Sequence, residues 1–380
     1  MTITPQNMWE PENVRWTLAH SREVMPSAVV RRGDRVSPLP RGPEKLDDLP
    51  VRDGDTTLSL VEALEGSHAD GFMVIQRGVV VYERYLTLQP DTPHMLQSVS
   101  KSLTAALTGV VVSEGVIDPA DDVTDHLSEL AGTCWDGCTI QHLLDMRAGV
   151  AFDETDYEDT ESESYRGFRA LGWTPPLATD PSPHAYIATM SLQEDHGERY
   201  EYRSILTDVL GWCLERATGE RLASLFASRI WQPLGAAYDA DLALGPGGFS
   251  LADGGFCVTL QDLARFGLMF SQDGKIDGRQ VVPEEWVQRL RTPDADLIET
   301  FASSPDALEM PPTSFYHDQW WIYDAEAGIY SGIGIHGQQI LVHHPSGCVV
   351  ARVSSWPHPW DDDASRLGDA AAFAVCVALS

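Results

Sequence analysis

The chain holds three lysines, Lys45, Lys101 and Lys275, among 26 basic residues, and one of them stands three places after a serine in Gln97-Ser98-Val99-Ser100-Lys101-Ser102-Leu103. Arginine stays protonated at any biological pH, whereas a lysine withdrawn from water can give up its proton and act as a base. A sequence that uses arginine almost everywhere else therefore singles out Lys101, and with it Ser98 as an activated nucleophile. Ser-x-x-Lys alone recurs by chance, so its context must carry the reading. Leu103, Leu107, Val110 and Val111 follow at helical spacing, which puts Ser98 and Lys101 in the first turn of a buried helix and on one face of it. Burial and the positive end of the helix dipole both disfavour an ammonium ion there. The expectation is a neutral amine ready to accept the Ser98 proton.

Acyl transfer by such a pair also needs a third proton-handling group and donors for the tetrahedral oxygen. Two downstream stretches offer them. Gly197-Glu198-Arg199-Tyr200-Glu201-Tyr202-Arg203-Ser204 runs into a helical stretch at Leu206–Trp212, and Ser331-Gly332-Ile333-Gly334-Ile335-His336-Gly337-Gln338 leads into a β-rich run. Glycines before a strand let the backbone come close to a ligand and aim an N–H at it. Tyr202, beside Tyr200, can equally be a packing tyrosine, and a lone histidine in a Gly-rich turn, His336, can equally be structural.

The elements that must hold these residues are legible in outline. Residues 71–75 and 79–85 are β-rich runs around Gln76-Arg77-Gly78, and 339–344 and 348–353 form a matching pair around Pro345-Ser346-Gly347; both read as hairpins. Between them lie helical segments at 140–146, 184–190, 207–217 and 222–230 joined by polar loops, and an alanine-rich helix closes the chain at 363–379. The prediction is an α+β fold in which both hairpins share one antiparallel sheet flanked by helices, built from 56–115 and 236–380, with 116–235 as a mostly helical domain. Residues 1–55, with Pro38, Pro40, Pro43 and Pro50, are expected as an irregular arm. The Ser98 helix begins where the two parts meet, a place where clefts form.

Composition bounds the function. A length of 380 residues, 43% hydrophobic and 22% charged, is that of an ordinary globular chain of about two domains. A formal charge of −31 argues against nucleic acid or an anionic membrane as partner and favours a neutral or cationic small molecule. With no basic, apolar leader and no long apolar run, the protein reads as cytoplasmic. Cys134, Cys138, Cys213, Cys257, Cys348 and Cys376 are scattered and read mostly as buried thiols; the Cys134/Cys138 spacing alone raises a metal or disulfide reading, without a second ligand pair behind it. No metal or cofactor is expected. The acidic run Asp153, Glu154, Asp156, Glu158, Asp159, Glu161 and Glu163 is either a solvated loop or a device that steers an amino-bearing substrate. Nothing in the sequence sets an oligomeric state.

Ser-x-x-Lys, then a Tyr-x-Asn-like loop, then a Gly-rich strand is an order that resembles the serine β-lactamase and penicillin-binding family, specifically its class C and esterase branch. The residues around Ser98, His142–Val150, Tyr202–Ser204 and Gly334–Gln338 are most similar to the 6-aminohexanoate-dimer hydrolases, which cleave linear nylon-oligomer amides and often esters. The resemblance implies a β-lactamase/transpeptidase-like fold, a small-molecule amide or ester as substrate, Ser98 as nucleophile, Lys101 as the group that takes its proton, and Tyr202 as the relay to the leaving group. It implies the N–H groups of Ser98 and Ile335 as oxyanion donors, with His336 the alternative one residue on. Ser204, Trp321 in preference to Trp320, and Tyr157 would line the substrate side. Two departures matter: the family's Asn is Ser204 here, and the Lys-Thr-Gly strand that grips a β-lactam carboxylate has no cation here. Losing such a charge-assisted contact costs about 1.5 to 3 kcal/mol, which disfavours a β-lactamase or D-amino-acid peptidase. A non-catalytic binding protein on the same fold is the alternative of another class.

Overall fold

The computed structural model describes residues 2–154, 160 and 162–379. Strands follow in chain order as β1 (Ser27–Val30), β2 (Pro50–Asp53), β3 (Thr56–Ser59), β4 (Ala69–Gln76), β5 (Val79–Tyr85), β6 (Pro93–Met95), β7 (Ala240–Ala243), β8 (Phe256–Thr259), β9 (Lys275–Ile276), β10 (Arg279–Gln280), β11 (Phe315–His317), β12 (Trp320–Asp324), β13 (Ile329–Gly334), β14 (Gln338–His343) and β15 (Cys348–Ser354). Seven of them form one antiparallel sheet in the order β11-β12-β13-β14-β15-β4-β5, so the two hairpins expected from sequence lie side by side through β15 and β4.

Alternation along β4 explains how the sheet is held. Phe72 and Val74 point to one face, where they pack with Leu341, Val350, Leu367, Ala371 and Val375; Met73 and Ile75 point to the other, where the partners include Leu263, Phe266, Ile340 and Val349. The first face is covered by the C-terminal helix Asp362–Ala378 and the short helix Leu60–Gly66, the second by the helix Leu260–Ser271. Burial on both faces is why these strands read as apolar runs rather than alternating ones. Arg77 and Gly78 both take positive φ, 48° and 83°, the two-residue hairpin geometry whose twist matches the flanking strands.

A second, four-stranded sheet has the order β1-β7-β8-β6. It corrects the expectation for residues 1–55. That stretch carries the helix Val14–His20, which buries Val14 and Leu18, and strand β1, which pairs with β7 over Ser27–Val30; β2 pairs with β3. Proline and charge mark its connections, but β1 is completed by a partner strand that begins only at Ala240. Between β6 and β7 the described chain is helical apart from loops and isolated bridges. No helix among the described residues is long and apolar enough to cross a membrane.

Candidate active site

Strand β6 delivers the nucleophile candidate. Leu96 N–H donates to the Phe256 carbonyl at 2.8 Å, which continues the β6–β8 pairing one residue further. Gln97 then takes φ 47°, a left-handed conformation that costs a non-glycine residue on the order of 1 kcal/mol, and the chain turns so that Ser98 caps the helix Val99–Ser113. Ser98 is half-buried and Lys101 buried. Their helical spacing puts Lys101 Nζ 2.8 Å from Ser98 Oγ.

The lysine has two further acceptors, Ser204 Oγ at 2.9 Å and the Asp253 carbonyl at 3.1 Å. Three acceptors match the three donors of an ammonium ion. Burial, the largest influence, pulls the Lys101 pKa down, but Tyr202, Asp253 and Glu154 together outweigh it, and the net direction is up. This corrects the expectation of a neutral amine: the acids that tertiary structure gathers around Lys101 keep its proton on. Tyr202 is half-buried, with its ring centroid 5.0 Å from Lys101 Nζ. Loss of water raises its phenol above the ordinary value, opposed by Lys101 and by hydrogen bonding to Ser98 and Lys101. At neutral pH the site thus holds an ammonium and a phenol, one proton more than a base needs.

Tyr202 and Ser204 flank Arg203 and both meet Lys101, while the Arg203 side chain turns the other way. Arg203 is fully buried; its guanidinium donates to the Ala148 carbonyl at 2.9 Å and to Glu201 Oε2 at 2.6 Å, which pins the segment from behind. Ser204 Oγ donates to Glu154 Oε1 at 2.5 Å, and the Ser204 N–H to the other oxygen of that carboxylate. Ser204 therefore stands on the lysine side of the cluster. Glu154 is drawn out of the acidic run into the site. Tyr157 lies outside the described residues.

Strand β13 reaches the same turn. A Cβ on Gly334 would stand 2.7 Å from the Leu96 carbonyl oxygen and 3.0 Å from Ser98 N, and one on Gly332 would stand 2.8 Å from Ser102 Oγ; glycine alone lets this strand lie so close. Half-buried Ile335 follows directly. His336 has φ 59°, gives its N–H to the Pro359 carbonyl at 2.9 Å, and sets its ring on Trp9 and its Nδ1 2.8 Å from the Trp356 carbonyl. Burial pushes it down to about 4, so it is neutral at pH 7, and its backbone donor is already engaged. Of the two oxyanion candidates just past this strand, His336 is thereby the weaker.

Trp320 is buried against Phe266, Phe270 and Tyr330. Trp321, on the opposite face of β12, is half-buried and stacks on Tyr202 with centroids 5.5 Å apart. Tyr316 and Tyr200 complete an aromatic wall around it. Sequence reasoning missed Glu154, Asp208 and Asp253. The last two are acids in apolar surroundings, Leu206-Thr207-Asp208-Val209-Leu210 and Leu251-Ala252-Asp253-Gly254-Gly255, and a charge inside an apolar run was the available signal. Cys134 is half-buried and the other five cysteines are buried, with Cys376 Sγ 3.3 Å from Cys348 Sγ.

A buried lysine, a serine at a helix start and a tyrosine that meets both make an arrangement able to form and break an acyl–oxygen bond. The sequence profile of the β-lactamase family matches residues 59–374. The 6-aminohexanoate-dimer hydrolase of Paenarthrobacter ureafaciens is 36% identical over 351 residues, 92% of this chain and 87% of its own length. Among solved structures, a Bacillus anthracis protein provisionally named 6-aminohexanoate-dimer hydrolase superposes with a TM-score of 0.90 at 24% identity, covering 100% of this chain and 97% of its own. A family VIII carboxylesterase superposes with a TM-score of 0.58 at 15% identity, over 83% and 96% of the two chains. At such identities the structural likenesses speak for the fold: mixed helices and antiparallel sheets of the β-lactamase/transpeptidase type.

Proposed function

The chain belongs to the β-lactamase family, and on that footing we propose that it is a serine hydrolase that cleaves linear amides or esters of small molecules through an acyl-Ser98 intermediate. The 2.8 Å contact between Lys101 Nζ and Ser98 Oγ, with Tyr202 over the lysine, carries the reading. The Lys101–Tyr202 pair first sheds one of its two protons to solvent. Ser98 Oγ then bonds to the acyl carbon as its own proton passes to that pair. The carbonyl oxygen becomes an oxyanion facing the N–H groups of Ser98 and Ile335, the bond to the leaving amine or alcohol breaks, and Tyr202 returns a proton to the departing atom. Water repeats the sequence on the acyl enzyme and frees the acid.

The named activity of the relative at 36% identity puts the linear 6-aminohexanoate dimer first on a substrate panel, with short acyl esters and a chromogenic cephalosporin beside it. A β-lactam's carboxylate finds no lysine on the Gly332–Gln338 strand, and His336 is neutral there, so turnover of the cephalosporin should fall far below ester turnover. The decisive measurement is a burst of p-nitrophenol from an activated ester with covalent labelling by a fluorophosphonate. Wild type should show both, and Ser98→Ala neither, with turnover down on the order of a thousandfold or more. Full activity in Ser98→Ala rejects the reading. Tyr202→Phe should reduce amide turnover more than ester turnover, because an amine leaves only when protonated.

A further inference from the structure

Lys101 touches more than the reacting groups. Its ammonium donates to the Asp253 carbonyl at 3.1 Å, and the Asp253 N–H donates to Asp208 Oδ1 at 3.1 Å. Asp208 sits one helical turn after Ser204, on the same face of the helix Ile205–Thr218. The Asp253 loop is fixed from the other side by Thr104, one turn beyond Lys101, whose hydroxyl donates to the Ala252 carbonyl at 3.0 Å. Three segments thus converge on two acids, of which Asp208 is fully buried and Asp253 5% exposed. Asp208 Oδ2 and Asp253 Oδ1 are buried without a close hydrogen-bond donor, and each carboxyl acts directly on the other. The other polar or charged groups facing the pair are Lys101, Glu154 and the Trp173 side chain; those facing Lys101 are Tyr202, Asp253, Glu154, Ser98 and Ser204.

Two carboxyls buried together cannot both ionise, and one keeps its proton. Burial and then Asp253 push Asp208 well above the usual carboxylate range; burial, opposed by Lys101, moves Asp253 to about 6. At neutral pH the pair carries one negative charge, and Asp253 bears it.

We propose that Asp208 and Asp253 form a one-proton carboxyl–carboxylate pair whose single negative charge holds the proton on Lys101, and so sets the pH at which the Ser98 nucleophile is switched on. The pair acts through Lys101 and touches no substrate atom. Removing its charge takes away one of the influences that oppose burial, so Lys101 sheds its proton at lower pH and the rising limb of activity moves to lower pH. The two acids differ in consequence. Asp253→Asn removes the charge, whereas Asp208→Asn exchanges one neutral group for another.

The inference rests on Ser98 and Lys101 being the reacting pair, and the test keeps the two claims apart. The rate of Ser98 labelling by a fluorophosphonate and kcat/KM for p-nitrophenyl acetate are measured from pH 5 to 10 in wild type, Asp253→Asn, Asp208→Asn and Asp253→Glu, with a melting curve for each. Asp253→Asn should move the midpoint of the rising limb down by about one pH unit or more, a tenfold change in proton affinity. Asp208→Asn and the charge-keeping Asp253→Glu should hold the wild-type midpoint to within about 0.3 unit, whatever happens to the plateau. An unmoved midpoint with a lowered plateau in Asp253→Asn overturns the proposal, as do equal shifts in both asparagine variants. Should Asp253→Asn not fold, a shifted midpoint in Asp253→Glu overturns it just as well. Absence of labelling in wild type at every pH sinks the nucleophile assignment instead.

Discussion

Lys101 and His317 are both bases taken largely out of water and surrounded by acids, but the acids stand differently around them. His317 Nδ1 lies 2.8 Å from Asp145 Oδ1, its Nε2 lies 3.3 Å from Asp318 Oδ2, and the Arg289 guanidinium closes on Asp318 at 2.7 Å. Gln141 ties the two carboxylates together at 2.9 and 3.1 Å. Each nitrogen of the His317 ring has a carboxylate beside it. The protons of Lys101 point at two hydroxyls and a carbonyl, with its charged partners one step further back. A cation locked on carboxylates is a clamp, whereas one whose protons meet hydroxyls can exchange them. The clamp joins the helix Ile140–Leu144 to the β11–β12 turn, where Asp318 and Gln319 both take positive φ, 46° and 64°. Gln319 accepts a hydrogen bond from Ser102 Oγ at 2.9 Å. The clamp therefore braces the hairpin that carries Trp321 against the helix that starts at Ser98.

The comparison breaks most visibly at the lysine. Lys101→Arg keeps a positive charge but cannot give up a proton at any working pH, so ester turnover should fall on the order of a thousandfold while the protein still folds. Stopped-flow ester hydrolysis checks this; a loss of less than tenfold would show that the charge alone, not proton exchange, is what Lys101 supplies.

The sign of the Lys101 shift also marks where sequence reading stopped. Ser98 and Lys101 are three residues apart, and helical geometry alone brings them together; the choice of Trp321 over Trp320 needed only strand alternation. Burial and the helix dipole are local properties, and they point to a neutral amine. The opposing acids come from far away: Glu154 lies 50 residues from Ser204, and Asp253 lies 152 from Lys101, contacts that no periodicity announces. Strand β1 was invisible for the same reason. It is four residues long, only Val30 in it is buried, and its pairing partner β7 begins at Ala240.

A smaller effect is expected at the clamp. His317 is raised to about 9 against an ordinary value near 6.5: burial pulls it down, but Asp318 and Asp145 raise it further. A folded-state value above the unfolded one gives stability that is full below about pH 6.5 and is lost as pH rises through about 9. The shift corresponds to about 3 kcal/mol. Asp145 is held below its ordinary value, by His317 above all against the cost of burial, so on the acid side its contribution fades as pH falls through its lowered value. His317→Gln should therefore lower Tm by about 3 to 5 °C at pH 6 for a chain of this length and by much less at pH 10, with turnover per folded molecule changed only a fewfold. An equal loss at both pH values would mean that the ring's shape, not its charge, does the bracing.

Salt should produce the smallest effect, and it separates buried charge from surface charge. Both base clusters are shielded from solvent, and mobile ions screen only what they can surround, over about 10 Å at 0.1 M. The midpoint of the rising activity limb and the pH dependence of Tm should accordingly stay put between 0.05 and 0.5 M salt, to within about 0.2 unit. The net charge of −31 is another matter, since it draws cations toward the cleft from outside. For an amino-bearing ester, kcat/KM should fall about two- to fivefold over that range, while a neutral ester of the same acyl group holds constant. A flat response for both esters would return the acidic run around Asp153 to the role of a solvated loop. A fall for both would mean that salt reaches the catalytic cluster itself, and that Lys101 is less enclosed than its three internal acceptors imply.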